Sequence, residues 1–472
     1  MFHDPDFLPF TPREKPSFRA TVRNFLELYP PAAYRERFFV LRGFRPLVAK
    51  TNILIDPELA EEMLITRADE FPRDVLTVRL LSGPINRDSL FFAEGAEWKW
   101  QRRAVAPAFR HENLLALVPT YAECARAQIE EWRDAPAGEP VDVMRAMSNT
   151  TFSVIERAVL GASASFDRER FLANLGVALG SIGWRRLVAL LGLPPNWTPH
   201  PGYFRATAAA RRLRDATVRL LEERRAESSE RRDILGLLLS AKDPESGRVM
   251  TDSELVANLY GFLVAGHETS AVALGWSLWL LAKDQASQQR LRDEVARVAG
   301  EEKIGPETVE RLVFAKQVLQ EAMRLFPPAA AVGRQPREDT MIGPYKLPKN
   351  EPVFVLLWCL HRHEGLWDEP HAFDPDRFSP EQVKARHRYA YLPFGAGPRI
   401  CIGMGFALLE MATILAELVR AFRFDTIPGH RLELAPSFTT RPKGGLPLIL
   451  TPLTGARAKA ARAEPAPARS AA

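Results

Sequence analysis

The chain has very little cysteine: three residues in 472, namely Cys124, Cys359 and Cys401. So sparse and odd a set excludes a disulfide framework and fits a reducing compartment. No Cys-x-x-Cys pair and no Cys/His spacing of the zinc kind occurs, so structural zinc has no support. Charge of one sign is scarce as well. The 63 Lys and Arg residues stand against 58 Asp and Glu, a net charge of +5. No basic run is interleaved with aromatics, which argues against nucleic acid as a partner. Residues 1–19 hold Asp4, Asp6 and several prolines but no apolar run of signal-peptide or anchor length. A soluble, cytoplasmic protein with no membrane anchor is therefore expected. No linker composition interrupts the chain before its end, so 1–452 read as one domain. Residues 453–472, rich in Ala, Arg and Pro, read as a disordered tail. Hydrophobic residues make up 46% and charged residues 26%, an ordinary globular balance with enough apolar mass for a large core.

Against these absences one stretch stands out: Phe394-Gly395-Ala396-Gly397-Pro398-Arg399-Ile400-Cys401-Ile402-Gly403, followed by an apolar helical pattern over 406–422. A thiol there would sit at a helix N-terminus, where backbone N–H groups and the helix dipole favour the thiolate. Gly395, Gly397 and Gly403 let the backbone turn sharply and bring N–H donors toward the sulfur. Arg399 adds a positive charge two residues away. A soft thiolate so placed is suited to iron. A lone cysteine is otherwise an inert core residue, the reading given to Cys124 and Cys359.

A second stretch opens with Thr251-Asp252-Ser253-Glu254, a capping box, and runs without proline to Asp284. That allows a helix of about 33 residues, about 50 Å long. It is apolar nearly all round, which means either a buried core helix or a membrane span. His267-Glu268-Thr269 in its middle would be costly in lipid and favours the core. Three further patterns are weak singly. Trp98 and Arg102 share a helix face at i, i+4. Glu321 and Arg324 stand at i, i+3 before Pro327-Pro328, and Phe373-Asp374-Pro375-Asp376-Arg377-Phe378 follows downstream. Surface stacking and an ordinary helix ion pair would explain the first two.

Together, and in this order, the patterns resemble the cytochrome P450 family over roughly residues 20–452. The glycine-rich run matches its haem-binding loop, Trp98-x-x-x-Arg102 a propionate-binding pair, and Ala265-Gly266-His267-Glu268-Thr269 its oxygen-activating segment. Glu321-x-x-Arg324 with Arg377 matches its structural ion triad. The resemblance implies a mainly α fold with a smaller β region, with haem b (iron protoporphyrin IX) between the long central helix and the cysteine loop. Cys401 is then the metal ligand. Trp98, Arg102, Arg334 and Arg399 meet the propionates, and Ala265, Gly266, Phe394, Gly395 and Gly403 complete the cofactor site. Cleaving the O–O bond consumes two protons, so an alcohol and an acid are needed at the pocket. Thr269 is expected to be the alcohol and Glu268 the relay acid, with Gly266 sparing room for cofactor and oxygen.

The implied function is a monooxygenase of the soluble bacterial type. It would insert one atom of O2 into a hydrophobic small molecule such as a terpenoid, fatty acid or aromatic. No flavin or iron–sulfur motif is present, so a ferredoxin or flavodoxin with its NAD(P)H reductase must supply electrons. Lys99 and Arg103 are expected to receive an acidic ferredoxin. Leu76, Leu90, Phe91, Phe92, Phe262, Val332 and Phe438 are expected to line the pocket, and 166–206 to form its lid. A haem-thiolate peroxygenase or isomerase, and a non-catalytic haem sensor, remain the alternatives.

Elsewhere, 1–20 read as an extended arm, and 18–28 and 32–39 as helices. Residues 46–49 and 52–55 read as strands, with a helix capped by Asp56 after them. Residues 71–96 read as an irregular apolar loop, 211–232 as an exposed charged helix and loop, and 436–440 as a hairpin tip entering the pocket.

Overall fold

The computed structural model describes residues 22–41, 50–81, 88–136, 138–161, 167–226, 233–243, 245–435 and 438–453. The expected arm at 1–20, the strand at 46–49, Pro436 and Ser437 of the hairpin tip and nearly all of the tail lie outside these residues.

The central helix spans Asp252–Lys283, close to the expected length. Its start is fixed by the Thr251 cap: Glu254 N–H donates to Thr251 Oγ1 at 3.4 Å, and Thr251 N–H to Glu254 Oε2 at 2.8 Å. Asp284 ends it and caps the next helix, Gln285–Ala299. The central helix is buried through almost its whole length. Helices Val143–Leu160, Tyr203–Ala226, Val313–Leu325 and Met404–Ala421 surround it. Trp276 stacks on Phe326 with ring centroids 3.8 Å apart and donates to the Thr440 carbonyl at 2.8 Å. Protein therefore takes the place of lipid around its apolar sides. Among the described residues no helix is long and apolar enough to cross a membrane.

Strands are few and short. β1 (Phe38–Leu41), β2 (Thr51–Leu54), β4 (Val332–Arg334) and β7 (Val353–Val355) form one sheet in the order β1-β2-β7-β4. β2 and β7 run parallel and the other neighbours antiparallel. β3 (Pro140–Asp142), β8 (Phe422–Thr426) and β9 (Pro447–Pro452) form a second sheet. β5 (Thr340–Ile342) and β6 (Tyr345–Leu347) make a hairpin. The mainly helical fold with a smaller β region is as expected.

Local expectations fail near the start. In 18–28 the described part ends in a 3-10 turn, Phe25–Leu28. The helix expected over 32–39 is a turn, Pro31–Tyr34, then β1. Sheet pairing with β2 and the stack of Phe38 on Tyr345, at 4.0 Å, override helical spacing there. Residues 71–96 are not wholly irregular, since Val75–Leu81 is a helix. The Asp56 cap forms as expected, accepting from Glu58 and Leu59 N–H at 2.8 and 3.1 Å.

Candidate active site

The central helix and the cysteine loop face one cavity of about 640 Å³. Ala265, Gly266 and Thr269 line one side, and Phe394, Gly395, Arg399, Cys401 and Gly403 the other. Trp98, Arg102 and Arg334 line it as well, so the expected cofactor residues converge.

The loop is held by its own backbone. Cys401 N–H donates to the Phe394 carbonyl at 3.0 Å, and Gly395 N–H to the Leu392 carbonyl at 3.0 Å. Gly395 and Gly397 both take φ of +71°. A Cβ on Gly397 would lie 2.0 Å from the Leu64 carbonyl oxygen, so backbone approach demands glycine there. Cys401 presents its sulfur to the cavity. Burial among apolar groups pushes its thiol above the usual range, while Gly403 N–H and the Arg102 guanidinium pull it back down. A bound metal ion reverses that balance outright. The cation acting on the sulfur is thus Arg102, not Arg399. Arg399 points elsewhere, pairing with Glu94 Oε2 at 2.7 Å, donating to the Ala93 carbonyl at 2.8 Å and lying 4.8 Å over Trp98.

Among the described residues the cavity lining contains arginine but no Asp, Glu, Lys or His. Arg73, Arg334 and Arg399 crowd together, and Arg102 lines the same cavity. Burial and like-charge neighbours push Arg73 down to about 9 and Arg334 to about 10, so both stay cationic at neutral pH. Arg73 Nε and Arg399 Nη1 are buried and meet no hydrogen-bond acceptor among the described residues. Unpaired buried guanidinium donors call for an anion. The two carboxylates of haem b fit that demand, and Cys401 fits its iron. Arg73 was missed in the sequence because it matches no motif. Its only signal is position, next to the expected pocket residue Leu76, and here its guanidinium lies 3.9 Å over Phe91.

The structure places the two oxygen-activating candidates differently. Thr269 lines the cavity and donates to the Ala265 carbonyl at 2.8 Å. Glu268 is buried and does not line it. Its carboxylate accepts from Arg441 Nε at 2.6 Å and Nη2 at 2.7 Å, and from Thr439 Oγ1 at 2.8 Å. Thr439 lines the cavity and is the contact between the two. Ties to Arg441 and Thr439 hold the Glu268 carboxylate off the cavity side of the helix. Gly266 lines the cavity, yet the atom a Cβ would strike is Ile155 Cδ1, at 2.7 Å. The missing side chain therefore serves close helix packing first.

Of the expected pocket residues, Leu76, Leu90, Phe91, Phe262, Val332 and Phe438 line the cavity. Phe92 does not; it packs edge-on against Phe91, with centroids 4.9 Å apart. Asn258 pins this wall to the central helix by accepting from Leu90 N–H at 2.8 Å. Ile182, Arg186, Ala189 and Leu190, from the expected lid, also line the cavity.

The ion triad forms as expected. Arg324 Nε and Nη2 donate to Glu321 at 2.7 and 2.8 Å, both residues fully buried, and Arg377 Nε lies 3.5 Å from Glu321. Arg324 also donates to the carbonyls of His361, Pro370 and Ala372 at 2.9, 2.7 and 2.8 Å. His361, missed in the sequence, carries the link onward: its Nε2 accepts from Leu392 N–H at 2.9 Å. Burial and the Arg324 and Arg362 charges push its pKa far down, which keeps Nε2 available as acceptor. Leu392 in turn anchors Gly395, so the triad reaches the cysteine loop through named hydrogen bonds.

A sequence profile described as Cytochrome P450 matches residues 33–448. The chain is 31% identical over 438 residues to 11-oxo-beta-amyrin 30-oxidase of Glycyrrhiza uralensis, covering 88% of this chain and 81% of the relative. It is 32% identical to cyclooctatin synthase of Streptomyces melanosporofaciens, covering 75% and 77%. A solved structure, the crystal structure of cytochrome P450DA heme domain, superposes with a TM-score of 0.78 at 26% identity, covering 88% of this chain and 90% of that one. The site and fold are those of a haem-thiolate monooxygenase, and the chain belongs to the cytochrome P450 family. Its cofactor is haem b held by a cysteine thiolate, and its reaction class is oxygenation of hydrophobic molecules.

Proposed function

We propose that Cys401 would hold the iron of haem b and that this chain, as one domain over 1–452, hydroxylates or epoxidises a hydrophobic small molecule. The observation that carries this is one cavity joining the Cys401 sulfur, the guanidinium groups of Arg73, Arg102, Arg334 and Arg399, and the Thr269 hydroxyl, with a largely apolar wall above. Haem supplies oxygen activation when bound. Trp98, Arg73, Arg102, Arg334 and Arg399 would hold its carboxylates, the last four by charge-assisted hydrogen bonds. Leu76, Leu90, Phe91, Phe262, Val332 and Phe438 receive the substrate and exclude water, which favours an apolar skeleton. Thr269 holds a proton at Oγ1 on the cavity side. Glu268 communicates with the cavity through the Thr439 hydroxyl. Thr269→Ala is expected to lower product formed per NAD(P)H roughly tenfold, with the difference appearing as hydrogen peroxide, by analogy with loss of one general acid group. Full coupling in that variant removes Thr269 from the mechanism.

Electrons come from a ferredoxin or flavodoxin with its NAD(P)H reductase. The expected docking pair changes in one member. Lys99 is exposed, but Arg103 is tied to Asp243 at 2.9 Å and to Glu245 at 3.1 Å. Reversing Lys99 is expected to slow reduction by an acidic ferredoxin several-fold at low salt, with the effect fading as salt is raised. Equal rates at low salt would place the docking surface elsewhere. The direct test of the whole reading is haem-loaded protein with surrogate reductases, assayed for O2-dependent product coupled to NAD(P)H. Peroxide-driven turnover alone would favour the peroxygenase reading.

A further inference from the structure

Among the described residues five arginines line the cavity, and the carboxylates of haem call for four of them. The fifth is Arg186. It stands on the helix Ile182–Leu190, next to an arginine with a different task. Arg185 does not line the cavity; it donates to the Leu80 carbonyl at 2.9 Å and to Asn196 Oδ1 at 2.7 Å, which clips its helix to Val75–Leu81. Arg186 faces the cavity instead, with its guanidinium 4.4 Å over the Phe25 ring. The helix is seated tightly on the chain before Phe25, since a Cβ on Gly183 would lie 2.2 Å from the Val22 carbonyl oxygen. Phe25, Leu28 and Tyr29 therefore close one part of the cavity together with Ile182, Arg186 and Leu190.

This part is electrostatically separate from the haem arginines. Arg73, Arg334 and Arg399 act on one another, and Arg102 acts on Cys401. None of them figures among the charges acting on Arg186, and Arg186 figures among none of theirs. The neighbour that does act on it is the Tyr29 hydroxyl. Burial pushes Arg186 down to about 10, so it stays cationic at neutral pH, and burial keeps the Tyr29 hydroxyl protonated as a donor. A cation in an apolar enclosure lowers the energy of an anion placed there. The described lining holds no carboxylate that would repel one. A guanidinium has five N–H donors, so its contacts within the protein leave room for a two-pronged acceptor.

We propose that Arg186, with the Tyr29 hydroxyl beside it, receives a carboxylate, so that the substrate is an apolar acid held by its charged end at the lid while its skeleton reaches toward Cys401. The inference deepens the monooxygenase reading and rests on it. Holding one end of the molecule fixes which carbon lies near the reacting centre, so the same contact sets the position of oxidation.

The test uses full-length, haem-loaded protein. A straight-chain saturated acid and a polycyclic terpenoid acid are each compared with their methyl esters, by equilibrium dialysis and by the Soret change on binding. At least one acid is expected to bind roughly ten- to hundredfold more tightly than its ester, the worth of a charge-assisted hydrogen-bonded pair. Arg186→Gln is expected to erase that difference while leaving ester affinity unchanged, and to spread oxygenation over several carbons. Arg186→Lys restores part of the preference, since it keeps the charge without the fork. Tyr29→Phe weakens acid binding several-fold. Which of the two acids shows the preference identifies the skeleton, and either one supports the carboxylate subsite.

Equal binding of acid and ester by wild type, for both skeletons, overturns the proposal and needs no variant. Full acid preference in Arg186→Gln overturns it too, by placing the anion at the haem arginines. Equal loss of acid and ester binding in that variant marks Arg186 as a support of the lid and overturns it likewise. Acid preference that depends on Arg186, without oxygenated product, sustains the subsite and sinks the monooxygenase reading.

Discussion

Replacing Cys401 by alanine is expected to abolish NAD(P)H-coupled oxygenation completely and to remove the strongly red-shifted Soret band of the reduced protein under carbon monoxide. Cys401 is the thiol of the cavity: among the described residues the lining has no His, Asp, Glu or Lys, and the other cysteines are buried elsewhere. Burial drives those two thiols upward, Cys124 to about 11, so neither supplies thiolate. Haem still has its arginines in the variant, so some cofactor should remain bound, with weaker retention measured as faster transfer to an acceptor globin. An unshifted loss of band in wild-type protein freshly loaded with haem would refute Cys401 as ligand. Persistence of the band in Cys401→Ala would refute it as well.

Breaking the Glu321–Arg324 pair should have the largest effect on stability. Both side chains are fully buried, and Arg324 gives five hydrogen bonds, two to Glu321 and three to backbone carbonyls. Glu321→Ala leaves that guanidinium uncompensated, at a cost of about 3–5 kcal/mol. Arg324→Lys is no remedy, because an ammonium group cannot serve a two-pronged carboxylate and three carbonyls together. The expected signature is specific. Denaturant midpoints fall, and the fraction of protein that takes up haem in the thiolate-ligated form falls further, because the Leu392 and Gly395 anchors lose their support through His361. A destabilised variant with full haem incorporation and a normal spectrum would separate the triad from the cysteine loop.

The sequence was most informative where one local rule sufficed. The Thr251–Glu254 cap and the absence of proline define the central helix almost to the residue. The glycine-rich run defines the cysteine loop, since Gly397 meets the Leu64 carbonyl and no side chain fits. It was least informative where distant partners decide. Strand β1 exists because β2 and Tyr345 are there, not because its residues exclude helix. Arg73 belongs to the site through proximity to Arg334 and Arg399, which are far away in sequence. Glu268 and Arg441 pair across 173 positions, and that pairing turns the carboxylate out of the cavity. Arg399 shows the same limit, since two residues of separation from Cys401 did not mean proximity of charge to sulfur.

The connection from Arg324 through His361 and Leu392 to Gly395 has a consequence for how such an enzyme changes over evolutionary time. The half of the cavity that sets the chemistry is hung on the protein interior. The half proposed to meet substrate is built from Leu76, Leu90, Phe91 and the segment around Leu190, which share none of those hydrogen bonds. Mutational drift in the second half can explore new molecules without retuning the first. One inherited oxidant can thus be offered to many chemistries, and a descendant is tried by selection on what it admits rather than on whether it still works.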